Sequence, residues 1–289
     1  MPVPSAPALL CTDLDRTLLP NGPQAESPLA RPLLRHWLQH SGTRLAFVSG
    51  RRLDLQLAAI QKYDLPLPHH IIADVGASLY DLGPTGWVPN AAWHQQLSLS
   101  WQGQTWRDIL PLLTDLPGLQ PQDEADQADH KLSFNVADPG LRSALLPTVS
   151  QRLQAAGLRC DLIWSVDETS DIGLLDVMAA GATKLGTVRC LASDAQLPPS
   201  AILCAGDSGN DLPLLTSEFP AVLVANATDA VRAETLDAAA AAGHPSQLHV
   251  AQGGFLGMNG CYAAGILEGI AHFFPAARLW LEAAQLPTS

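Results

Sequence analysis

The sequence is poor in charged residues and has no long apolar runs, and each scarcity excludes a class of protein. Only 15% of the 289 residues are charged, and 28 acidic against 16 basic residues give a formal charge of −12. An acidic balance argues against a nucleic-acid or anionic-membrane partner. No apolar run approaches the ~20 residues that span a bilayer, and the N-terminus has no basic segment followed by an apolar one. We therefore expect neither a membrane span nor a signal peptide.

The sequence also lacks paired cysteines. Its five cysteines are scattered without any CxxC spacing, which is typical of buried thiols in a reducing cytoplasm. The hydrophobic fraction of 47% is enough to bury a core and excludes a largely disordered chain. The length exceeds that of one ordinary core. We expect two cores, or one large α/β core with an insertion.

Five short apolar runs have the character of buried strands, at residues 8–11, 45–48, 71–73, 202–205 and 221–225. Helix-like or turn sequence follows each run, as in a parallel sheet covered by helices on both faces. Right-handed crossovers place the C-terminal ends of such strands along one edge, where ligands bind in open α/β sheets. Helices are predicted over residues 233–242 and over the apolar-periodic stretch 257–274, ended by Pro275.

The composition of the sequence changes between about residues 83 and 170, where five of the seven tryptophans occur. Residues 130–136 alternate, so that Lys131, Ser133 and Asn135 share one face, which is the period of a strand with one buried and one exposed face. A second strand is predicted over residues 158–166. We interpret this stretch as an inserted α+β domain with an antiparallel sheet whose polar face is free to cover the ligand crevice.

Carboxylates follow two of the predicted strands at the shared edge. Asp13 and Asp15 come after the first run, and Asp207 and Asp211 after the fourth. A carboxylate there can attack phosphorus, while a second carboxyl two residues on can protonate the leaving oxygen and later take a proton from water. Mg²⁺ binds through carboxylates, waters and substrate phosphate. The pattern therefore indicates metal-assisted phosphoryl transfer.

Other residues supply candidate phosphate ligands. Ser49 before Gly50 can donate hydrogen bonds from its hydroxyl and from a backbone N–H, and Asn210 lies between the two later carboxylates. Lys184 can supply a fixed positive charge. The chain has only three lysines against thirteen arginines, so lysine is not its general surface cation. A plain helix N-cap is the alternative for Ser49.

In this order the residues resemble the four motifs of the haloacid dehalogenase (HAD) superfamily of phosphohydrolases: Asp13-x-Asp15-x-Thr17, Ser49-Gly50-Arg51, Lys184 and Gly206-Asp207-x-x-x-Asp211. The resemblance implies a Rossmann-like parallel-sheet α/β core with an inserted α+β cap. We expect the core over residues 1–85 and 171–289 and the cap over 86–170. The resemblance also implies that Asp13 is the nucleophile, Asp15 the general acid/base and Lys184 a catalytic cation. Mg²⁺ would be bound by Asp13, the backbone carbonyl of Asp15 and Asp207, with Asp211 in support.

Residues 49–51, 74–80, 131–133, 206–211 and 263–273 are similar to the sucrose-6-phosphate phosphatase branch of this superfamily. This implies a Mg²⁺-dependent phosphoric monoester hydrolase that releases phosphate from sucrose 6-phosphate in sucrose biosynthesis. Mannosylfructose-phosphate phosphatase shares nearly all these features, so another glycosyl phosphate is an alternative substrate. A sugar phosphomutase, or a non-catalytic sugar-phosphate-binding partner of a synthase, are remoter alternatives. We expect a monomer with a glycosyltransferase (synthase) as a candidate partner.

The cap is expected to recognise the sugar. Lys131, Ser133, Asn135 and Gly76 are candidates for binding sugar hydroxyls, with a solvated strand face as the alternative for the first three. Gly76 and Asn226 are more typical of turn residues than of ligands.

Two positions depart from the branch. Arg16 stands where Asn or Gly is usual, so its guanidinium either aids phosphate binding or points to solvent. The turn at residues 181–186 differs from the usual Asn- or Asp-Lys-Gly, which puts the reach of Lys184 in question.

Overall fold

The computed structural model describes residues 6–167 and 172–284, which form a mixed α/β structure. The strands are β1 (Leu9–Thr12), β2 (Arg44–Val48), β3 (His70–Ala73), β4 (Ser78–Gly83), β5 (Gly86–Pro89), β6 (Leu119–Pro121), β7 (Lys131–Val136), β8 (Cys160–Asp167), β9 (Ile172–Ala179), β10 (Ile202–Gly206), β11 (Ala221–Leu223) and β12 (Leu248–Val250). The α-helices are α1 (Ala30–Ser41), α2 (Leu53–Lys62), α3 (Ala91–Ser100), α4 (Trp106–Ile109), α5 (Arg142–Ala155), α6 (Lys184–Asp194), α7 (Leu212–Leu215), α8 (Asp229–Ala241), α9 (Ala263–Phe273) and α10 (Pro275–Ala283).

Internal contacts divide the chain into two units. The larger unit contains the chain up to Ser49, then Leu53–Ile71, and the chain from Val188 onward. The second unit contains Gly50–Arg52 and Ile72–Thr187. The predicted cap boundaries at residues 86 and 170 fall inside the second unit, the latter among residues that the structure does not describe. The assignment of residues 86–170 as a cap therefore stays a prediction.

A parallel sheet forms the centre of the larger unit, in the order β12-β11-β10-β1-β2 with β3 next to β2. All five predicted strands are confirmed, within two residues at either end. Their side chains are almost wholly buried on both faces, as the unbroken apolar runs predict. In this register Thr12 of β1 lies between Phe47 of β2 and Ala205 of β10.

One face of this sheet packs against α1, α9 and α10. Leu10, Phe47 and Leu203 on the strands belong to the same buried cluster as Trp37 of α1 and Ile266 of α9. The apolar spacing over residues 257–274 therefore reports a real helix, although it begins six residues later than the apolar stretch. Pro275 begins the next helix, where its fixed φ and missing N–H are tolerated.

The second unit has a four-stranded antiparallel sheet in the order β6-β7-β9-β8, together with the hairpin β4–β5. The two strands predicted in this region are confirmed as β7 and β8, and the sheet is antiparallel as predicted, with β9 lying between them. Trp93 and Trp101 are fully buried, as the cap-core interpretation of the tryptophans predicts. No sequence pattern predicted β9. Its alternation of buried and half-buried residues stops in its last part, where the side chains are buried on both faces of the strand.

The expected exposed face of β7 is wrong for two of its three residues. Lys131 is only 8% exposed and Ser133 is fully buried, while Asn135 is half-buried. Each polar group has a hydrogen-bond or charge partner inside the unit, which makes burial tolerable. Alternation therefore identified the strand but not the surroundings of its polar face.

The described residues contain no helix long and apolar enough to cross a bilayer. The five cysteines are free thiols.

Candidate active site

The pairing of β1 with β10 brings the two carboxylate motifs side by side. The Asp13 N–H donates a hydrogen bond to the carbonyl of Ala205 at 2.9 Å, which extends the parallel ladder one residue past β1. Asp13 therefore lies beside the Gly206–Asp207 peptide. Ser49 follows β2 on the other side of β1, and it is 1% exposed. These residues share the carboxyl edge of the sheet, as the sequence predicts.

Three buried carboxylates converge at this edge. Asp13, Asp207 and Asp211 each place a carboxylate oxygen within 4.8 Å of the other two. They are 5%, 4% and 0% exposed, so water screens their mutual repulsion poorly. A cation between the carboxylates would offset this repulsion, and hard oxygen donors are the ligands that Mg²⁺ prefers. The donor set therefore fits a hard divalent cation.

The Gly206 backbone makes room for the third carboxylate. Asp211 Oδ2 accepts hydrogen bonds from the N–H groups of Asp207 and Ser208, both at 3.3 Å, and from Ser208 Oγ at 3.2 Å. A Cβ at Gly206 would lie only 2.6 Å from Asp211 Cγ. The glycine in this motif is thus a steric requirement of the carboxylate cluster.

Residues of the first motif hold Asp207 from the other side. Thr17 is fully buried, and its hydroxyl donates to Asp207 Oδ1 at 3.1 Å. The Arg16 guanidinium lies 3.5 Å from Asp207 Oδ2 and also donates to the carbonyl of Asn226 at 3.4 Å. The side chain of Arg16 is therefore neither directed away to solvent nor without a partner. It neutralises part of the charge of the carboxylate cluster.

Asp15 is half-buried and accepts a hydrogen bond from Asn21 Nδ2 at 2.7 Å. The next residue, Arg16, has a φ of 59°, a left-handed conformation that favours Gly and Asn over a long side chain. This explains in physical terms why Asn or Gly is usual at the position.

The other two phosphate candidates, Asn210 and Gly50, are both exposed. Asn210 is exposed, and its Oδ1 accepts a hydrogen bond from Ser208 Oγ at 3.1 Å. Gly50 is exposed and belongs to the second unit. Nothing in these positions assigns phosphate binding to either residue, so both stay predictions.

Lys184 belongs to the second unit, where it is the first residue of α6 and 2% exposed. The turn before it packs directly on Gly76: a Cβ there would lie 2.3 Å from the Thr183 carbonyl carbon, and Gly76 has a φ of 110°. The Gly76 carbonyl accepts hydrogen bonds from Trp93 Nε1 and Thr187 Oγ1, both at 3.0 Å. Gly76 therefore shapes the backbone that presents Lys184.

A cluster of polar side chains surrounds the candidate residues of β7 in the second unit. Lys131 Nζ donates to the carbonyl of Asp126 at 3.1 Å and lies 3.8 Å from Asp176 Oδ1, which also accepts a hydrogen bond from Ser133 Oγ. Burial raises the pKa of Asp74, while a hydrogen bond from Ser78 and the charge of Lys131 oppose that rise. One ammonium group thus serves two carboxylates.

Residues 6–274 match the model of the sucrose-6F-phosphate phosphohydrolase family. The chain belongs to this family. A protein of Nitrosococcus oceani named only as a HAD-like hydrolase is 47% identical over 95% of this chain and 74% of its own length. The "Probable sucrose-phosphatase 3a" of Arabidopsis thaliana is 29% identical over 75% of this chain. The match covers 50% of the length of that relative. Mannosylfructose-phosphate phosphatase of Agrobacterium fabrum is 27% identical over 70% of this chain and 76% of its own length.

A solved structure shows the same fold. The sucrose-phosphatase of Synechocystis sp. PCC6803, described in complex with sucrose and phosphate, superposes with a TM-score of 0.67 at 24% identity, covering 93% of this chain and 98% of that one. Membership of the family makes the chain a HAD-superfamily phosphatase of the sucrose-phosphatase type. Relatives named for different disaccharide phosphates have nearly equal identity, so similarity does not select the substrate.

Sequence reasoning missed two polar residues that contact candidate site residues. Asp176 on β9 pairs in register with Ser133, but a lone carboxylate in an unpredicted strand gave no signal. Asn21 lies six residues after Asp15 in a loop, where an asparagine is ordinarily a turn residue. The structure reveals Asn21 only through its contact with Asp15.

Proposed function

We propose that this protein is a Mg²⁺-dependent phosphatase that hydrolyses a phosphorylated disaccharide, with sucrose 6-phosphate as the leading substrate. The observation that carries the proposal is the cluster of three buried carboxylates, Asp13, Asp207 and Asp211, at the ends of adjacent strands. A non-catalytic sugar-phosphate binder would need neither this cluster nor an acid/base at Asp15. Family membership supports the phosphatase class, and the named substrates of its relatives support a disaccharide phosphate.

We assign the two chemical roles to the first motif. An Asp13 carboxylate oxygen attacks phosphorus, the bond from phosphorus to the sugar oxygen breaks, and Asp15 gives its proton to that leaving oxygen. Asp15 then removes a proton from water, whose oxygen attacks the aspartyl-phosphate and releases inorganic phosphate. The nucleophile returns as a free carboxylate, so protons and phosphorus balance over the cycle.

Asp13 and Asp207 are assigned as the residues that hold Mg²⁺, with the Asp15 backbone carbonyl and Asp211 in support. When bound, the ion supplies positive charge that stabilises the negative charge developing on the phosphoryl oxygens. Thr17 and Asp211 contribute by keeping Asp207 and its loop in place. Ser49, Gly50, Asn210 and Lys184 are assigned to the phosphate.

The sugar is assigned to the second unit, through Lys131, Ser133, Asn135 and Gly76. The first three are consecutive same-face positions of β7. Asn135 is half-buried, whereas Lys131 and Ser133 are buried and already bonded within the unit, so a sugar would have to share their hydrogen bonds. Gly76 has its carbonyl already engaged, so its N–H is the group that would contact a sugar. The five free thiols support a cytoplasmic location. A monomeric state and a synthase partner complete the proposal.

Phosphate release with and without Mg²⁺ tests the proposal, on sucrose 6-phosphate, mannosylfructose 6-phosphate and fructose 6-phosphate side by side. We expect kcat/KM for sucrose 6-phosphate to exceed the others by about a hundredfold, or roughly 2.7 kcal/mol of transition-state discrimination. A preference for mannosylfructose phosphate would keep the catalytic assignments and change the sugar site. Absence of Mg²⁺-dependent release from all three, with Asp13→Asn no slower than the unmodified protein, would overturn the proposal.

A further inference from the structure

The side chain of Asn21 makes two hydrogen bonds that together fix its orientation. Its Oδ1 accepts from the backbone N–H of Arg16 at 2.8 Å, and its Nδ2 donates to Asp15 Oδ1 at 2.7 Å. Because the oxygen of the amide is engaged by an N–H donor, the nitrogen must face Asp15. The amide of Asn21 is therefore oriented to meet a carboxylate oxygen and not a carboxylic O–H.

A second asparagine holds the other side of the same peptide segment. Asn226 Nδ2 donates to the Arg16 carbonyl at 2.6 Å, and Asn226 Oδ1 accepts from the Tyr262 N–H at 2.9 Å. Both backbone polar groups of Arg16 are thus bound by asparagine side chains from distant parts of the chain. This pair stabilises the left-handed conformation of Arg16, which an arginine rarely adopts by itself.

The contacts close into a ring. The Tyr262 hydroxyl donates to the carbonyl of Gln24 at 3.1 Å, which ties the loop after Asn21 to the start of α9. Tyr262 is fully buried, so this tie is anchored in the core. The loop that carries the exposed Asn21 is therefore tied to the core three residues later, at Gln24.

We propose that Asn21 is the positioning residue of the general acid/base Asp15. Its amide fixes the rotation of the Asp15 carboxyl group, so that the carboxyl meets the oxygen of the leaving sugar. This inference rests on the proposed function, since it takes Asp15 as the group that protonates the leaving oxygen. Proton transfer needs the acid within hydrogen-bond reach and in the right direction, so an unsupported Asp15 slows that step and spares substrate binding.

The leaving group provides the readout. A sugar alkoxide is a poor leaving group and needs a proton as the bond to phosphorus breaks. The p-nitrophenolate anion leaves without one. Loss of positioning at Asp15 should therefore slow formation of the aspartyl-phosphate from a sugar phosphate and spare its formation from p-nitrophenyl phosphate. The pre-steady-state burst of p-nitrophenolate measures that first step, because the later hydrolysis needs Asp15 as base with either substrate. A general disturbance of the site slows aspartyl-phosphate formation from both.

Asn21→Ala and Asn226→Ala form a matched pair for this test. Both variants lose one hydrogen bond to the Arg16 backbone, but only Asn21→Ala loses the contact with Asp15. For Asn21→Ala we expect kcat on the sugar phosphate to fall by roughly 10–100-fold, a part of the full contribution of general acid catalysis, with KM nearly unchanged. The rate of the p-nitrophenolate burst from p-nitrophenyl phosphate should change little. Asn226→Ala should lower both rates by the same factor.

Two further variants complete the design. In an Asp15→Asn background, Asn21→Ala should have almost no additional effect on kcat, because the two residues act as one unit. Asn21→Ser is the substitute if Asn21→Ala does not fold, as judged by the absence of a thermal unfolding transition. The serine keeps a hydroxyl oxygen that can accept from the Arg16 N–H, and the variant should show the same leaving-group selectivity.

Equal slowing of aspartyl-phosphate formation from both substrates in Asn21→Ala, or full additivity with Asp15→Asn, would overturn the inference while leaving the phosphatase intact. Lack of any phosphate release from the unmodified protein would instead overturn the proposed function, and the inference with it.

Discussion

At the residue scale, the proposed phosphoryl transfer depends on one carboxylate, that of Asp13. Asp13, like Asp207, follows a strand directly, but the Asp13 N–H is bonded within the ladder between β1 and β10. Asp207 and Asp211 are held instead by side-chain and loop hydrogen bonds. This contrast suits a rigid nucleophile beside two metal-binding carboxylates.

Asp13→Asn should abolish turnover, with kcat reduced by at least about 10³-fold, because an amide cannot form the aspartyl-phosphate. Binding of the sugar phosphate should persist, since the amide keeps the volume of the carboxyl group. Single-turnover phosphate release together with calorimetric titration of the substrate measures both. The control is Asp194→Asn, which changes a carboxylate at the end of α6 and should leave kcat as it is. Residual activity near that of the unmodified protein would refute the assignment of the nucleophile.

At the scale of elements, the contact between the Gly76 loop and the start of α6 determines where Lys184 lies within the second unit. Thr187 on the first turn of α6 donates to the Gly76 carbonyl, and Trp93 on α3 donates to the same oxygen. Three elements thus meet at one glycine. The departure of residues 181–186 from the family pattern is compatible with this contact, because it is made by the backbone of Thr183 and Lys184.

Gly76→Ala should destabilise the second unit by about 2–4 kcal/mol, since the added Cβ meets backbone atoms that cannot rotate away. Gly103→Ala is the matched control, because Gly103 also has a positive φ, of 77°, but nothing lies within 4 Å of its added Cβ. The control should cost only about 1 kcal/mol, the conformational part alone. Urea unfolding followed by tryptophan fluorescence compares the two, and equal losses would mean that the close approach is absent in solution.

At the scale of the whole molecule, the balance of charge bears on stability. The chain carries a formal charge of −12 and buries three carboxylates within 4.8 Å of one another. A cation that binds the folded chain and not the unfolded one raises stability by mass action.

Mg²⁺ should therefore raise the melting temperature. At about 100 times the dissociation constant, the gain is about 2.7 kcal/mol. Asp207→Asn should remove most of this gain, and a monovalent salt at equal ionic strength should not reproduce it. Differential scanning calorimetry with and without EDTA makes the measurement. A melting temperature insensitive to Mg²⁺ would contradict the metal site.

Acid should destabilise the second unit through His130. Burial, together with the neighbouring His94, lowers the pKa of His130 from 6.5 to about 4, and the neutral ring lies 3.1 Å from Ser98 Oγ. Because the unfolded chain takes up the proton near pH 6.5 and the folded chain does not, stability is full above that pH and falls as the pH drops toward 4.

The urea midpoint of the second unit should thus decrease between pH 6.5 and pH 4.5, and His130→Gln should flatten that slope. The fluorescence of Trp101, whose ring centroid lies 5.9 Å from that of His130, reports on the same region. An unchanged slope in the variant would assign the acid sensitivity to other groups.

The amino-acid sequence by itself determined the five parallel strands and the edge at which the candidate carboxylates lie. Unbroken apolar runs sufficed for five parallel strands because burial on both faces leaves no polar position. The placement of Asp13 and Asp207 followed, since parallel strands end at one edge.

Contacts between residues far apart in the chain were decided only by the tertiary structure. The burial of Lys131 and Ser133, the role of Asp176 and the ring of Asn21, Arg16, Asn226 and Tyr262 depend on which loops meet in space. Local periodicity records which face of an element is apolar, but not what lies opposite a polar one. A polar side chain therefore carries no mark in the sequence of whether water or a buried partner will satisfy it.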